Sequence, residues 1–348
     1  MIKGVSLFAN VGIDEFYLKE CGVSICISNE LIEKRADFYS HIYKDVEMIK
    51  GDILNEEVFN QLVLKFKENK CEFLLATPPC QGMSVAGKMK ESDPRNSLTI
   101  KVIEFIKLTK PNYILIENVP QIFNFCIIIN GIKVKIPEYI KQELEPLGYI
   151  INSSVLDSAD YGTPQFRKRA IFLISKFQKW EIPQTQNHIS VKDAIGDLPS
   201  LESGEHSGIK NHYAKKHNIN HIKWMKHTPT GKTAFENEIH FPVKDGRRIK
   251  GFSTTYKRIE WERPAPTITM CNGGISSQNN VHPGRKKPDG TYSDARVLTI
   301  LELLRLTGLP DNYPIPEWAS ENLIRQVVGE CFPPKFCASL VKNIKLPA

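Results

Sequence analysis

The stretch "LLATPPCQGMS", Leu74 to Ser84, ends a short apolar run with two prolines and presents one cysteine beside Gln-Gly. A buried structural cysteine needs no such setting, but a nucleophile that must hold one position at a strand end does. Cys80 is therefore a candidate nucleophile, set against the structural reading of a small buried hydrophobe that fits Cys21, Cys71 and Cys126 better. Other apolar runs also end in polar or special residues: "FANVG" with Gly12, "SNE" with Glu30, "GDI" with Asp52 and "ENV" with Glu117. In "QFRKR", strand alternation sets Arg167 and Arg169 on one face and Lys168 on the other, a pattern that an exposed basic strand would share. Open α/β sheets bind ligands at the carboxyl ends of their strands. Glu30 stands where a carboxylate gripping a ribose would sit, although a charge at a helix N-terminus is the commoner reading. Gly12 lacks the GxGxxG pattern, so a nucleoside cofactor without a cradled pyrophosphate fits better than a dinucleotide.

The elements that must position these residues alternate along the first half of the chain. "GVSLFA" reads as a strand, "IDEFYLKECG" as a helix closing on Gly22, "VSICIS" as a second strand and "ELIEKRADFYSHI" as a helix. Then follow "VEMIKGDI", the helical "NEEVFNQLVLKFKEN", the strand "EFLLAT", the helical "SLTIKVIEFIKLTK" and the buried strand "NYILIENV". This rhythm predicts an α/β fold with helices on both faces of the sheet. "CIIINGIKVKI" predicts a hairpin turning at Asn130-Gly131. Polar loops, prolines and short strands over 176–275 break the rhythm and predict a smaller, mostly β and loop domain. Residues 1–175 are expected to form the main domain, to which 276–348 return with the helical "VLTILELLRLTGLP", "SENLIRQVVGE" and "PKFCASLVKNI".

With 348 residues, 41% hydrophobic and 24% charged, the chain is long enough for two domains and ordinary for a soluble globular protein. Its longest apolar run, around "FCIII", is far short of a membrane span, and the N-terminus lacks the form of a secretory signal. None of the eight cysteines (21, 26, 71, 80, 126, 271, 331, 337) has CxxC or zinc-finger spacing, which reads as reduced thiols in a cytoplasmic protein. The net charge of +7 has a location. Between Glu205 and Arg263 there are 13 Lys/Arg against 6 Asp/Glu, so the whole excess lies there, with six of the nine histidines. Such a segment is either a solvated basic surface or the footprint of a polyanion.

The ordered blocks "SLFANVG", "SNE", "GDI", "PPCQGMS", "ENV", "QFRKR", "RPAPTIT" and "QVVGECFPP" resemble the DNA (cytosine-5)-methyltransferase family of the prokaryotic restriction-modification type. The resemblance spans nearly the whole chain, and Pro-Cys-Gln, Glu-Asn-Val and Gln-x-Arg-x-Arg are its most specific blocks. It implies a Rossmann-like S-adenosylmethionine methyltransferase sheet, with a target-recognition domain where the positive charge lies. Carbon 5 of cytosine is too weak a nucleophile to take a methyl group directly. A Cys80 thiolate adding at carbon 6 would make it one, through an enamine. By resemblance, Glu117 would protonate or hydrogen-bond the ring nitrogen N3, and Arg167 and Arg169 would bind the cytosine O2 and fix Glu117. Phe8, Gly12, Glu30 and Asp52 match residues around the adenosine, while Pro79 and Leu98 flank the methionine part. The base would be flipped out of duplex DNA, and the loop from Gln81 to Ser97 has the composition of a lid over it. Expected DNA contacts are Gln81 and Ser84 in that loop, Gln165, and Lys215, Lys216, Arg247 and Arg248 in the basic segment. A monomer is expected, with a cognate restriction endonuclease acting on the same site without direct contact.

The chain departs from the family pattern at Ser6, Asn10 and Ile13 in the first block and at Glu330, where asparagine is usual. Asparagine tolerates left-handed backbone better than most residues, so Asn10 is expected to keep the turn. "TGKT" at Thr230 to Thr233 lacks the glycine cradle of a phosphate loop, and His217 and His221 lack a third ligand, so no metal is expected. Two other functions stay open at this point: a tRNA-directed cytosine-5 methyltransferase, and an inactive paralogue that binds DNA.

Overall fold

The computed structural model describes residues 1–79, 97–129 and 131–344. Cys80, Gln81, Ser84 and the proposed lid therefore lie outside the described residues. In chain order the elements are β1 (Ile2–Leu7), β2 (Val23–Glu30), α1 (Glu33–Ile42), β3 (Glu47–Lys50), α2 (Glu56–Glu68), β4 (Phe73–Ala76), α3 (Ser97–Thr109) and β5 (Tyr113–Asn118). The hairpin β6 (Cys126–Ile129) and β7 (Ile132–Lys135) follows, then α4 (Ile136–Leu144), β8 (Ile150–Asp157) and β9 (Lys168–Ser175). Next come α5 (Val191–Ile195), α6 (Ile219–Lys226), β10 (Val243–Lys244), β11 (Arg247–Arg248), α7 (Ile300–Thr307), α8 (Glu321–Glu330) and α9 (Pro334–Val341).

These elements form two compact units. The first is Met1–Asp157, Lys168–Thr185 and Pro334–Ala348; the second is Ser158–Arg167 and Gln186–Pro333. The boundaries differ from the sequence expectation of 176 and 276. The stretch after β9 stays with the first unit because Trp180 is buried and its indole N–H donates to Leu340 O at 3.0 Å. Residues 276–333 belong to the second unit because Val281 bridges both Arg258 and Val297, and a buried ion cluster joins them.

In the first unit, seven strands lie in the order β3-β2-β1-β4-β5-β9-β8. β1 to β5 are mutually parallel, and β9 runs antiparallel to both β5 and β8. β4 and β5 are buried along their whole length, as expected for strands covered on both faces. α2 starts where Asn55 Oδ1 accepts the N–H groups of Glu57 and Val58, and it buries Phe59, Leu62 and Phe66 on one face. Phe59 and Phe66 both meet Phe105 of α3 edge-on. β6 and β7 pair antiparallel with Ile129 opposite Ile132, while Asn130 of the expected turn lies outside the described residues. One expectation fails: "IDEFYLKECG" is a chain of tight turns that becomes a 3-10 helix only at Lys19–Cys21. Its N–H groups reach back three residues, Glu15 to Gly12, Phe16 to Ile13 and Leu18 to Glu15, because the segment starts from left-handed backbone at Asn10 and Gly12.

The second unit contains four α-helices, two short 3-10 helices, one short hairpin and isolated bridges. Its interior combines buried apolar side chains such as Leu301, Leu304 and Val327 with a buried ion cluster. Arg296, fully buried, donates to Glu302 at 2.8 and 2.9 Å, to Asp294 at 2.9 Å and to Leu201 O at 2.9 Å. Arg258, also fully buried, donates to the carbonyls of Met225, His282 and Asp294. Asp294 further accepts both the Ser200 and Ser293 hydroxyls at 2.6 Å. A buried charge is tolerated only when its hydrogen-bonding capacity is met, as it is here. His282 Nδ1 accepts the Gly284 N–H at 3.0 Å, so this ring is neutral. Burial, then the Arg296 charge, pushes its pKa down from 6.5 to about 3.

A group held neutral in the fold but protonated when unfolded contributes stability above its unfolded pKa and loses it as pH falls. Stability should therefore drop from pH 6.5 toward 3, with His282 contributing a slope of up to about 1.4 kcal/mol per pH unit. His282→Asn should flatten that part of the pH dependence in urea titrations. An unchanged slope would mean that the titration arises elsewhere. Arg296→Met, which strands two buried carboxylates, should destabilise the chain by about 3 to 5 kcal/mol in the same assay.

Candidate active site

The strand order reverses between β1 and β4, and ligand crevices of open α/β sheets form at such a point. After β1 the backbone enters the left-handed region at Phe8 (φ 61°), Asn10 (φ 50°) and Gly12 (φ 72°). Asn10 thus keeps the turn expected of it. At Gly12 a Cβ would come within 2.4 Å of the Tyr43 ring and 2.7 Å of the Tyr39 ring, so only glycine fits. Both oxygens of Glu30, at the end of β2, are fixed by backbone donors, Asn10 N–H at 2.9 Å and Ile32 N–H at 2.8 Å. Thr77 Oγ1 donates to Phe8 O at 3.2 Å and ties the loop after β4 to the loop after β1. Asp52 is exposed beyond β3 and accepts the Leu54 N–H at 2.9 Å, while Leu98 is buried in the first turn of α3.

These residues fit a nucleoside cofactor. Glu30 is a preset carboxylate at the end of β2, and Asn10 Oδ1 is a buried acceptor with no donor among the described residues. Pro79 is exposed at the end of the β4 loop, next to Cys80.

β5 delivers the acid. Glu117 pairs with Ile171 of β9, and Glu117 Oε1 lies 2.5 Å from Arg169 Nε, with both side chains nearly nine-tenths buried. Arg169 also donates to Lys168 O at 2.8 Å. The next residue, Asn118, donates from Nδ2 to Pro78 O at 3.0 Å, which links the end of β5 to the loop carrying Cys80. Sequence reasoning missed two further acids in this unit, Asp14 and Glu15, both buried. Burial, then the Glu15 charge, pushes the Asp14 carboxyl well above its usual range. Burial also raises Glu15 to about 7, against the hydrogen bond from Tyr39 at 2.5 Å. Two adjacent acids in an apolar stretch after the first strand were the available signal.

Two expected site residues in the second unit are held by internal hydrogen bonds. Gln165 was expected to touch DNA, but it is 2% exposed, its Nε2 donates to Leu306 O at 3.3 Å and its Oε1 accepts the Ile268 N–H at 3.1 Å. Its side chain is occupied as internal bracing. Arg167, expected to share the cytosine with Arg169, is buried and donates to Ile268 O at 2.9 Å and Gly329 O at 3.0 Å. Arg169 is the arginine brought to Glu117. Lys216 and Arg247 are exposed and Lys215 is partly so. Arg248 is an anchor as well as a surface charge. It stacks 4.1 Å from the Phe241 ring centroid and donates to the carbonyls of Phe235 and Asn237. A cleft of about 590 Å³ nearby is lined by His227, Lys232, Glu236, Asn237 and His240 among others. His217 Nε2 accepts the Val297 N–H, and among the described residues no group of three or more His, Cys, Asp and Glu side chains could hold a metal ion. Nor is any described helix long and apolar enough to cross a membrane.

A family model described as C-5 cytosine-specific DNA methylase matches residues 2–346. The chain is 51% identical to the Type II methyltransferase M1.HgaI of Avibacterium volantium, over 99% of this chain and 98% of that one. It is 28% identical to the Type II methyltransferase M1.HphI of Haemophilus parahaemolyticus, over 98% and 86% respectively. Among solved structures, a DNA modification methyltransferase encoded within an E. coli prophage superposes with a TM-score of 0.71 at 18% identity, covering 99% of this chain and 98% of that one. Spodoptera frugiperda DNMT2 superposes with a TM-score of 0.68 at 14% identity, covering 99% of each chain. At these identities the structural likeness is one of fold, and the sequence matches carry the assignment. The chain belongs to the C-5 cytosine-specific DNA methylase family.

Proposed function

We propose that this DNA cytosine-5 methyltransferase works through Cys80 as nucleophile and Glu117 as acid, with Arg169 holding the acid in place. The observation that carries this reading is the Glu117–Arg169 pair at the end of β5, one residue from the Asn118 hydrogen bond to the loop that carries Cys80. The Cys80 thiolate adds to carbon 6 of cytosine, and the electron pair of the C5–C6 double bond moves into the ring. Glu117 protonates or hydrogen-bonds N3 and so stabilises the charge that arrives there. Carbon 5, now part of an enamine, is nucleophilic. S-adenosylmethionine supplies the electrophilic methyl group, and Phe8, Gly12, Glu30, Asp52, Pro79 and Leu98 are the residues that would hold it. Loss of the C5 proton and then of the Cys80 thiolate restores the aromatic ring.

The target base must leave the duplex to reach Cys80. DNA is held by the basic segment from Glu205 to Arg263, with Lys215, Lys216 and Arg247 on phosphates and Arg248 setting the hairpin. The enzyme acts as a monomer in the cytoplasm. Its partner in restriction-modification is an endonuclease that cuts the same site without contacting it.

Cys80→Ser should lower methyl transfer on the order of 10⁴-fold or more while leaving cofactor affinity intact. DNA with 5-fluorocytosine at the target should trap the native chain covalently, because fluorine cannot leave as a cation. Trapping through another cysteine would refute the assignment. Arg169→Leu leaves the buried Glu117 without its charged partner and should reduce turnover on the order of 10²-fold with cofactor Kd unchanged.

For DNA, Arg247→Ala should lower the log–log salt slope of binding by about 0.9, and Lys215→Ala with Lys216→Ala should lower it by about twice that. Arg248→Ala should additionally lower the melting temperature. Native slopes in all three variants would move the DNA path off this segment.

A further inference from the structure

We infer that the Phe252 ring is a base-contacting group of the DNA interface, packing against bases of the recognition site while the cations around it meet phosphate. This rests on the reading above that the basic segment holds DNA. Phe252 is 79% exposed, although the chain around it has an aromatic cluster to join. Tyr256, four residues on, does join it, meeting the Phe235 ring edge-on at 5.5 Å and the Trp224 ring at 5.7 Å. A single exposed apolar side chain is ordinary in itself. The backbone that carries this one is not. At Gly251 a Cβ would fall 2.2 Å from the Phe235 ring, so only glycine lets the chain lie this close before Phe252. Thr255 then closes a turn by donating both its N–H and its hydroxyl to Phe252 O at 3.0 Å each. Thr254 O accepts the Asn279 N–H at 2.8 Å, and Thr255 O accepts the Thr233 hydroxyl at 3.0 Å. The turn is pinned from both sides, and its ring is held out in solvent on a fixed mount.

Charge selects the partner. From Lys244 to Lys257 there are five Lys/Arg and one Asp, and Lys244, Arg247 and Lys250 are exposed as Phe252 is. Duplex DNA presents both things that this stretch fits: lines of phosphate, and between them the faces and thymine methyl groups of the bases. Phosphate contacts hold a protein on any sequence, whereas base contacts form at the specific site. The ring carries no charge, so its contact releases no counterion and leaves the salt dependence of binding alone. With two rotatable bonds on a pinned turn, it also loses little freedom when DNA binds. Phe252 is thus a specificity-determining residue, set in place before DNA arrives.

The test uses the full chain and two duplexes. One carries the site that the native chain methylates, read by sequencing modified plasmid DNA; the other has that site scrambled. Phe252→Ala should weaken binding to the first roughly tenfold or more, leave the scrambled duplex within about twofold, and leave the log–log salt slope unchanged. Phe252→Leu should recover part of the loss. Both variants should keep the native melting temperature and the native affinity for S-adenosylhomocysteine. Native affinity of Phe252→Ala for the first duplex would overturn the inference. So would equal losses on both duplexes, which mark contact with the DNA backbone, or a lowered melting temperature, which marks a structural role. A native chain that sediments as a dimer beside a monomeric Phe252→Ala would assign the ring to a second copy and overturn it too. Native salt slopes in the Lys215/Lys216 and Arg247 variants would overturn the reading of the basic segment, and this inference with it. Reduced slopes there, beside a Phe252→Ala that binds as the native chain does, would overturn this inference alone.

Discussion

The antiparallel join of β5 and β9 is the constraint on which the candidate site depends. β5 runs parallel to its neighbours and ends at the ligand edge of the sheet, so its last residues, Glu117 and Asn118, arrive there. A further parallel strand would begin at the opposite edge. Because β9 is reversed, it begins where β5 ends, and Arg169 in its first turn of extended chain meets Glu117 directly. Acid and guanidinium are thus paired by backbone register, with no loop to order. Asn118 uses the same register to reach Pro78, which brings the loop after β4 under the same control.

The two units are stabilised by different means. The first has an apolar core in which Leu, Ile, Val and Phe from the sheet meet α2 and α3, and its ionisable groups gather at the ends of the strands. The second also buries apolar side chains, among them Trp224, Met225, Leu301, Leu304 and Val327, but with Arg258, Arg296, Asp294, Glu302 and His282 nearly or fully buried beside them. Hydrogen bonds of fixed direction hold this loop-rich chain where hydrophobic contact alone would allow many arrangements. Such bracing leaves surface residues on the same chain unconstrained by the interior.

Much of the fold and of the site was legible because it depends on local pattern. Apolar runs of strand length ending in Asn10, Glu30, Asp52, Pro79 and Glu117 predict both the sheet and its ligand edge, and the structure has that sheet. What was not legible depends on contacts distant in sequence. Arg167 and Arg169 share a strand face in "QFRKR", yet the chain passes from the second unit to the first between Arg167 and Lys168, so one arginine braces carbonyls and the other meets Glu117. Gln165 reads as a polar contact until the carbonyl of Leu306 and the N–H of Ile268 are found to claim it. Helical spacing in "IDEFYLKECG" was overruled by the turn that precedes it. The division at residue 276 missed that Val297, Arg296 and Glu302 complete the interior of the second unit.

The hairpin of β10 and β11 turns at Asp245-Gly246, both left-handed, in the two-residue geometry that suits the twist of paired strands. Arg248 clamps its base through the Phe241 ring and two carbonyls, while Val243, Lys244 and Arg247 face solvent. A hairpin fastened in this way carries its folding information at the base and leaves the tip free of it. Substitutions at Val243, Lys244 or Arg247 change what the surface presents without loosening what presents it. The surface of this element can therefore change by successive single substitutions, each compatible with a folded chain, at a rate not limited by loss of stability.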